Sequence, residues 1–166
     1  MKKQFIIIFT LAFTFSACGQ EHKTFNEMAL EMSKGNAPKM ESTSLNEANI
    51  PNTIYLDARE KEEFDVSHIK GAIFVGYDNF EISNLPELKD GATIIVYCSV
   101  GYRSEKIAEK LIKRGYSQTK NLYGGIFDWI NKGYSVYDNK GNETLKIHPY
   151  SESWGKWLTK GEKVYE

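Results

Sequence analysis

Cys98 heads the run Cys98-Ser99-Val100-Gly101-Tyr102-Arg103-Ser104 and follows directly on Thr93-Ile94-Ile95-Val96-Tyr97. That β-branched stretch closed by an aromatic is the pattern of a strand buried on both faces of a parallel sheet. Beyond the run, Ile107, Ala108, Leu111 and Ile112 fall on one face of a helix predicted over 104–114, with Gly115 as its stop. Ligands bind at the carboxyl ends of strands in such sheets. A turn entering a helix N-terminus also gathers backbone N–H groups into one small space. A cysteine in that cradle should be biased towards thiolate, which makes Cys98 a candidate nucleophile for covalent catalysis. Ser99, Val100, Gly101, Tyr102, Arg103 and Ser104 form the candidate binding loop. Gly101 supplies backbone freedom, and Arg103 adds a permanent charge with a donor fork able to hold an oxyanion. A surface-facing guanidinium adds little stability, so Arg103 should matter for binding anionic donors more than for the fold.

The elements around this loop alternate. Phe25, Met28, Ala29 and Met32 have helical spacing, ended by Gly35 and Pro38. Ser42-Thr43-Ser44 reads as a capping cluster before a short helix at 45–48. Strands are predicted at 53–56, 72–75 and 120–123, a charged helical turn at 60–64, and a short helix at 125–132. A helix or turn interrupted by Pro86 is expected within 81–88. The class is therefore α/β, with a mainly parallel sheet flanked by helices on both faces. Residues 138–166 break the alternation, being polar and turn-rich, then aromatic with Tyr150, Trp154, Trp157 and Tyr165. The tryptophans imply a face that packs back on the core, near the loop.

The loop resembles that of the rhodanese family, Cys-x-x-Gly-x-Arg followed by Ser or Thr, matched here by Cys98, Gly101, Arg103 and Ser104. Tyr55-Leu56-Asp57-Ala58-Arg59, Glu63-Phe64 and Ser67-His68-Ile69-Lys70-Gly71-Ala72 resemble the family's first signature, with Ser67 where glycine usually stands. Leu122-Tyr123-Gly124-Gly125 with Trp129 resembles its C-terminal signature. The resemblance spans 41–137. It implies a sulfurtransferase of the thiosulfate sulfurtransferase type. Cys98 would take sulfane sulfur from thiosulfate or a similar donor as a persulfide and pass it to a thiol or cyanide, without cofactor or metal. Asp57, Arg59 and Glu63 would form a structural ion-pair set, His68 a framework contact, and Trp129 part of the core. Three rivals stand beside this reading. A cysteine-dependent phosphatase or arsenate reductase needs Cys-x5-Arg, but four residues separate Cys98 from Arg103. A non-catalytic rhodanese module that docks a partner commonly lacks the cysteine kept here. A thioredoxin-like site would need a second cysteine where Gly101 stands.

Composition narrows partners. The charge balance is −1 and no basic stripe interleaves with aromatics, which argues against nucleic acid. His148 has no cysteine or acidic partner at ligand spacing, and His22 lies in a polar spacer, so no metal is expected. Lys2-Lys3, an uncharged run over 5–17 and Phe15-Ser16-Ala17-Cys18 resemble a bacterial lipoprotein signal, with Phe15 in place of the usual Leu. The expected organisation is a signal peptide at 1–17, a lipidated N-terminus with spacer and short helix at 18–40, a rhodanese-like domain at 41–137, and an extension at 138–166. Lipidation of Cys18, by palmitate-type acyl chains, would tether an exported monomer to a membrane, facing the periplasm or the cell surface. Cys98 would then be its sole thiol, with a small sulfane donor and a thiol acceptor as partners.

Overall fold

The computed structural model describes residues 23–48, 50–87 and 91–165. Thr24 and Glu27 make reciprocal side-chain-to-backbone bonds that start helix α1, Phe25–Met32. Edge strand β1, Lys39–Met40, and helix α2, Ser42–Ala48, follow. Next come β2, Thr53–Asp57; α3, Lys61–Val66; β3, Ile73–Phe74; and β4, Thr93–Tyr97. Between β3 and β4 the described part of the 81–88 stretch holds a 3-10 turn, Ile82–Asn84. Helix α4, Tyr102–Lys113, strand β5, Thr119–Leu122, and helix α5, Gly125–Asn131, complete the alternating unit.

Five strands pair in parallel in the order β1-β5-β4-β2-β3, so β4 lies at the centre. Strand alternation then divides the core in two. Ile94, Val96 and Cys98 face one side, where Ile107, Ala108 and Leu111 of α4 cover them. Ile95 and Tyr97 face the other, against Met28 of α1, Leu45 of α2, and Ile126, Phe127 and Trp129 of α5. The α/β architecture with helices on both faces is as expected. Cys98 is the next residue in the β4 alternation, which is why its side chain points to the α4 side.

Two local readings change, and one strand is added. Helix α4 begins at Tyr102, two residues before the expected start, because Gly101 at φ +107 already caps it. The Ser42-Thr43-Ser44 cluster lies inside α2, and the Ser42 hydroxyl donates to the Asp128 carboxylate instead of capping. Strand β1 has only two residues, too few for a periodic signal, and is held because Asn121 and Tyr123 amides donate to Pro38 and Met40 carbonyls.

The C-terminal part does pack back. Hairpin β6, Val136–Tyr137, with β7, Glu143–Thr144, turns about Asp138, whose carboxylate accepts from the Lys140 and Asn142 amides. Strands β8, Lys146–Ile147, and β9, Glu162–Lys163, pair in parallel around helix α6, Glu152–Gly155. Ile147 and Leu158 are buried in the same core cluster as Trp129, and Trp157 meets Phe25 of α1 edge to face at 6.4 Å. Ser67 Oγ donates to the Lys146 carbonyl at 2.6 Å, and His68 bridges to Tyr137.

Candidate active site

Cys98 leaves the end of β4 only 1% exposed. The Gly101 amide donates to its Sγ at 3.2 Å, and the Ser104 hydroxyl reaches it at 3.5 Å. The amides of Tyr102, Arg103 and Ser104 occupy the first turn of α4, where helical geometry provides them no backbone acceptor within the helix. The sulfur thus sits on the Gly101 amide, at the N-terminus of α4.

The loop is fastened on two sides. Asn121 on β5 accepts from the Ser104 hydroxyl at 2.7 Å and donates to the Gly101 carbonyl at 3.0 Å and to Glu105 at 2.6 Å. Glu105 also accepts the Ala37 amide at 2.9 Å, tying the loop to the segment after α1. On the other side the first amides of α5 hold the loop carbonyls, Ile126 to Cys98 at 2.9 Å and Phe127 to Ser99 at 3.1 Å. This close approach explains Gly124-Gly125. A Cβ on Gly125, at φ +59, would lie 2.3 Å from the Cys98 carbonyl oxygen.

Arg103 stands differently from the expectation of a surface head with an open fork. Its side chain is 13% exposed, and the guanidinium grips Glu63 through both terminal nitrogens at 2.7 and 2.9 Å. It also donates to Glu60 at 3.2 Å and Ser99 Oγ at 2.9 Å, and lies 5.1 Å from the centre of the Tyr150 ring. Burial works against the arginine's charge, but Glu63, Cys98 and Glu60 together hold its pKa above the ordinary value. Glu63, 1% exposed, also accepts from Ser99 Oγ at 2.6 Å. Burial would raise its pKa, yet the bond and charge of Arg103, then Arg59 and Ser99, bring it below the ordinary 4.5.

The expected set of Asp57, Arg59 and Glu63 thus divides. Asp57 and Arg59 form a fully buried framework pair at 2.7 Å, whereas Glu63 belongs to the loop. His68 is a framework residue, stacked on Phe64 at 4.1 Å and bonded to its carbonyl at 3.1 Å. Trp129 is core, 7% exposed.

Removing the Arg103 head leaves Glu63 buried without its cation, which is costlier than losing an exposed pair. Arg103→Ala is therefore expected to lower stability by about 2–3 kcal/mol, or roughly 5–10 °C in Tm for a chain of this size. The depressed carboxylate sets the pH dependence. Its stabilising share is complete above pH 4.5 and fades as acid carries the protein through the lower folded value. Melting curves of wild type and Arg103→Ala that converge on acidification, and stay apart near neutrality, are the expected result. Equal melting temperatures at neutral pH would return Arg103 to a purely binding role.

A cavity of about 350 Å³ opens over the sulfur. Cys98, Ser99, Val100, Tyr102 and Arg103 of the predicted loop line it, while Gly101 and Ser104 act from behind through backbone and Asn121. Glu60, Tyr77 and Asp78 add to the wall, as do Met32 from α1 and Tyr150 and Trp154 from the C-terminal part. No short motif marks these last three, since they reach the loop only through tertiary packing. Among the described residues no cluster of metal-ligating side chains occurs. Cys18 and His22 lie outside the described residues.

Comparison with known proteins places this geometry. A tRNA uridine(34) hydroxylase of Staphylococcus epidermidis is 39% identical over 80 residues, covering 45% of this chain and 25% of that protein. One from Bacillus cereus is 38% identical over 79 residues, with the same coverage. The chain thus spans about a quarter of the length of these curated relatives. Among solved structures, the rhodanese-like domain of an Anabaena protein superposes with a TM-score of 0.54 at 21% identity, covering 62% of this chain and 80% of that one. A rhodanese-like domain protein from Staphylococcus aureus gives 0.53 at 22%, covering 61% and 98%. Those two speak for the fold. The family model of the rhodanese-like domain matches residues 42–132, from α2 to α5 with Cys98 inside the match, and the chain belongs to that family.

Proposed function

We propose that the protein is a sulfurtransferase that carries sulfane sulfur as a persulfide on Cys98. The observation that supports this most directly is the Cys98 Sγ seated on the Gly101 amide at the start of α4, beneath an open cavity. The Cys98 thiolate attacks the outer sulfur of thiosulfate or a similar donor. A Cys98 S–S bond forms, the donor's own S–S bond breaks, and sulfite leaves with the electron pair. A thiol or cyanide then attacks the outer sulfur of the persulfide and restores the Cys98 thiolate. First-turn amides of α4 face the charge that builds on sulfur, which is the usual role of an anion hole. The phosphatase reading is disfavoured because the Arg103 fork is spent on Glu63, Glu60 and Ser99. The uridine-modifying name of the partial relatives is not extended to this chain, whose charge balance of −1 favours no RNA surface.

Incubation with sulfane donors, followed by intact mass and peptide mapping, tests the reading. A gain of about 32 Da on the Cys98 peptide, removable by cyanide as thiocyanate, is expected of covalent sulfur transfer.

We also propose that the protein is exported and tethered through acylated Cys18, on the strength of the lipoprotein-like run at 1–18. Among the described residues no helix is long and apolar enough to cross a membrane. Cys18→Ser should release the protein from the membrane fraction or block its processing. A variant that stays bound with the wild-type mass would refute the tether.

A further inference from the structure

The α4 amides can receive a small anionic donor such as thiosulfate at the sulfur, but a cavity mouth that selects inorganic dianions would carry free positive charge. Among the described residues the one cation on the cavity wall is Arg103, and its guanidinium is already paired with Glu63 and Glu60. Asp78 adds a further carboxylate to the wall, exposed and without an ion pair among the described residues. Counting Glu63 beneath, three carboxylates stand around one guanidinium, so the field at the mouth is negative.

The remaining surface is built for an organic group. Tyr102 and Tyr150, 49% and 53% exposed, flank the opening beside Tyr77, Met32 and Trp154. Tyr150 is one of two described non-glycine residues with positive φ, at +66, and its amide donates to His148 Nδ1 at 3.1 Å. A left-handed tyrosine is a costly conformation that persists where packing demands it, and here it carries the ring over Arg103. Met32, Tyr150 and Trp154 all lie outside residues 42–132, so the family segment alone does not make this wall.

Resting on the persulfide reading, we propose that the partner entering this cavity is an organic thiol or persulfide that is neutral or cationic, with the aromatic wall holding its carbon portion. The transfer is written for the acceptor direction. The thiolate R–S⁻ attacks the outer sulfur of Cys98–S–S⁻, forming R–S–S⁻ as the Cys98 S–S bond breaks and its electron pair returns to Sγ. Charge and electrons balance, and no other reactant is needed. The reverse step loads the protein from R–S–S⁻.

The test preloads full-length protein with sulfur from an aryl thiosulfonate and follows loss of the Cys98 adduct to cysteamine, 2-mercaptoethanol or 3-mercaptopropionate. These acceptors are similar in size but cationic, neutral and anionic. Each rate is divided by that of Asp78→Asn, which cancels the intrinsic reactivity of each thiol. Asp78→Asn should slow cysteamine about threefold, speed 3-mercaptopropionate by a similar factor and leave 2-mercaptoethanol unchanged, the scale of one exposed charge. Tyr150→Ala should raise the KM of the sulfur-loaded protein for neutral benzyl mercaptan about fivefold, against a much smaller change in the rate with cyanide, as loss of an aromatic contact predicts. Equal ratios for the three acceptors, or a Tyr150→Ala effect shared by cyanide, overturn the inference and leave the persulfide reading intact. Failure of Cys98 to accept sulfur from any donor overturns both.

Discussion

Cys98→Ser is expected to retain the melting temperature within a few degrees while losing the sulfur adduct and all turnover. The substitution exchanges a buried thiol for a slightly smaller hydroxyl that can accept the Gly101 amide as the sulfur does. Its cost in stability is the modest one of a near-isosteric change, about 1 kcal/mol. The chemical cost is total, because an alkoxide is not available at neutral pH without an adjacent base. The groups nearest the loop offer none, since Glu63 is committed to Arg103 and Ser99. Mass spectrometry after sulfane-donor treatment, read beside a melting curve, separates the two effects. A Cys98→Ser protein that still turns over a donor would move the chemistry elsewhere. Hydrolysis of an aryl phosphate by wild type, with no sulfur uptake, would favour the phosphatase reading, and neither activity would favour a binding module.

The candidate loop was legible because the pattern that marks it is local. The β-branched strand, the cysteine at its end, Gly101 and the helical spacing of Ile107, Ala108 and Leu111 lie within twenty residues. Side-chain alternation along β4 then dictates which face the sulfur takes. Gly124-Gly125 was recognisable as a signature, but its physical reason, the approach of α5 to the Cys98 and Ser99 carbonyls, is a contact between segments. The same limit explains Arg103. Nothing in the spacing of Glu63 and Arg103 says that α3 delivers a carboxylate to the α4 N-terminus, so a guanidinium with a buried partner reads as a surface charge. Trp154 and Trp157 were visible as an aromatic face needing cover, but the place of Trp154 and Tyr150 at the cavity depends on the β8–β9 pairing. One signal was present and passed over, the Thr24-x-x-Glu27 capping pattern at α1.

Arg59→Ala should be the most damaging single change to stability, at about 3–5 kcal/mol, or on the order of 10 °C in Tm. Arg59 and Asp57 are both 0% exposed. Nε of the arginine donates to both carboxylate oxygens at 3.0 and 3.1 Å, and Nη2 donates to Asp57 at 2.7 Å and to the Ser67 carbonyl at 2.6 Å. Burial opposes the guanidinium's charge, but the Asp57 carboxylate, with Tyr97 and Glu63, more than offsets it and raises the arginine pKa. Truncation would leave the carboxylate and the Ser67 carbonyl dry and unpaired and open a cavity beside Tyr97, over whose ring the guanidinium lies at 5.8 Å. The damage should reach the site as well. Asp57 pairs with Tyr97 across β2 and β4, its carbonyl accepts the Val75 and Gly76 amides, and Cys98 is the next residue after Tyr97. The pair itself need not be favourable, since Nη1 of Arg59 has no hydrogen-bond partner among the described residues. Replacing both partners, as Asp57→Asn with Arg59→Met, should therefore cost less than Arg59→Ala alone. Denaturant melts of the two single variants and the double variant measure the coupling. A double variant as unstable as the sum of its parts would show that Asp57 and Arg59 act independently, and a melting temperature for Arg59→Ala within 2 °C of wild type, about the shift from half a kcal/mol, would remove the framework role.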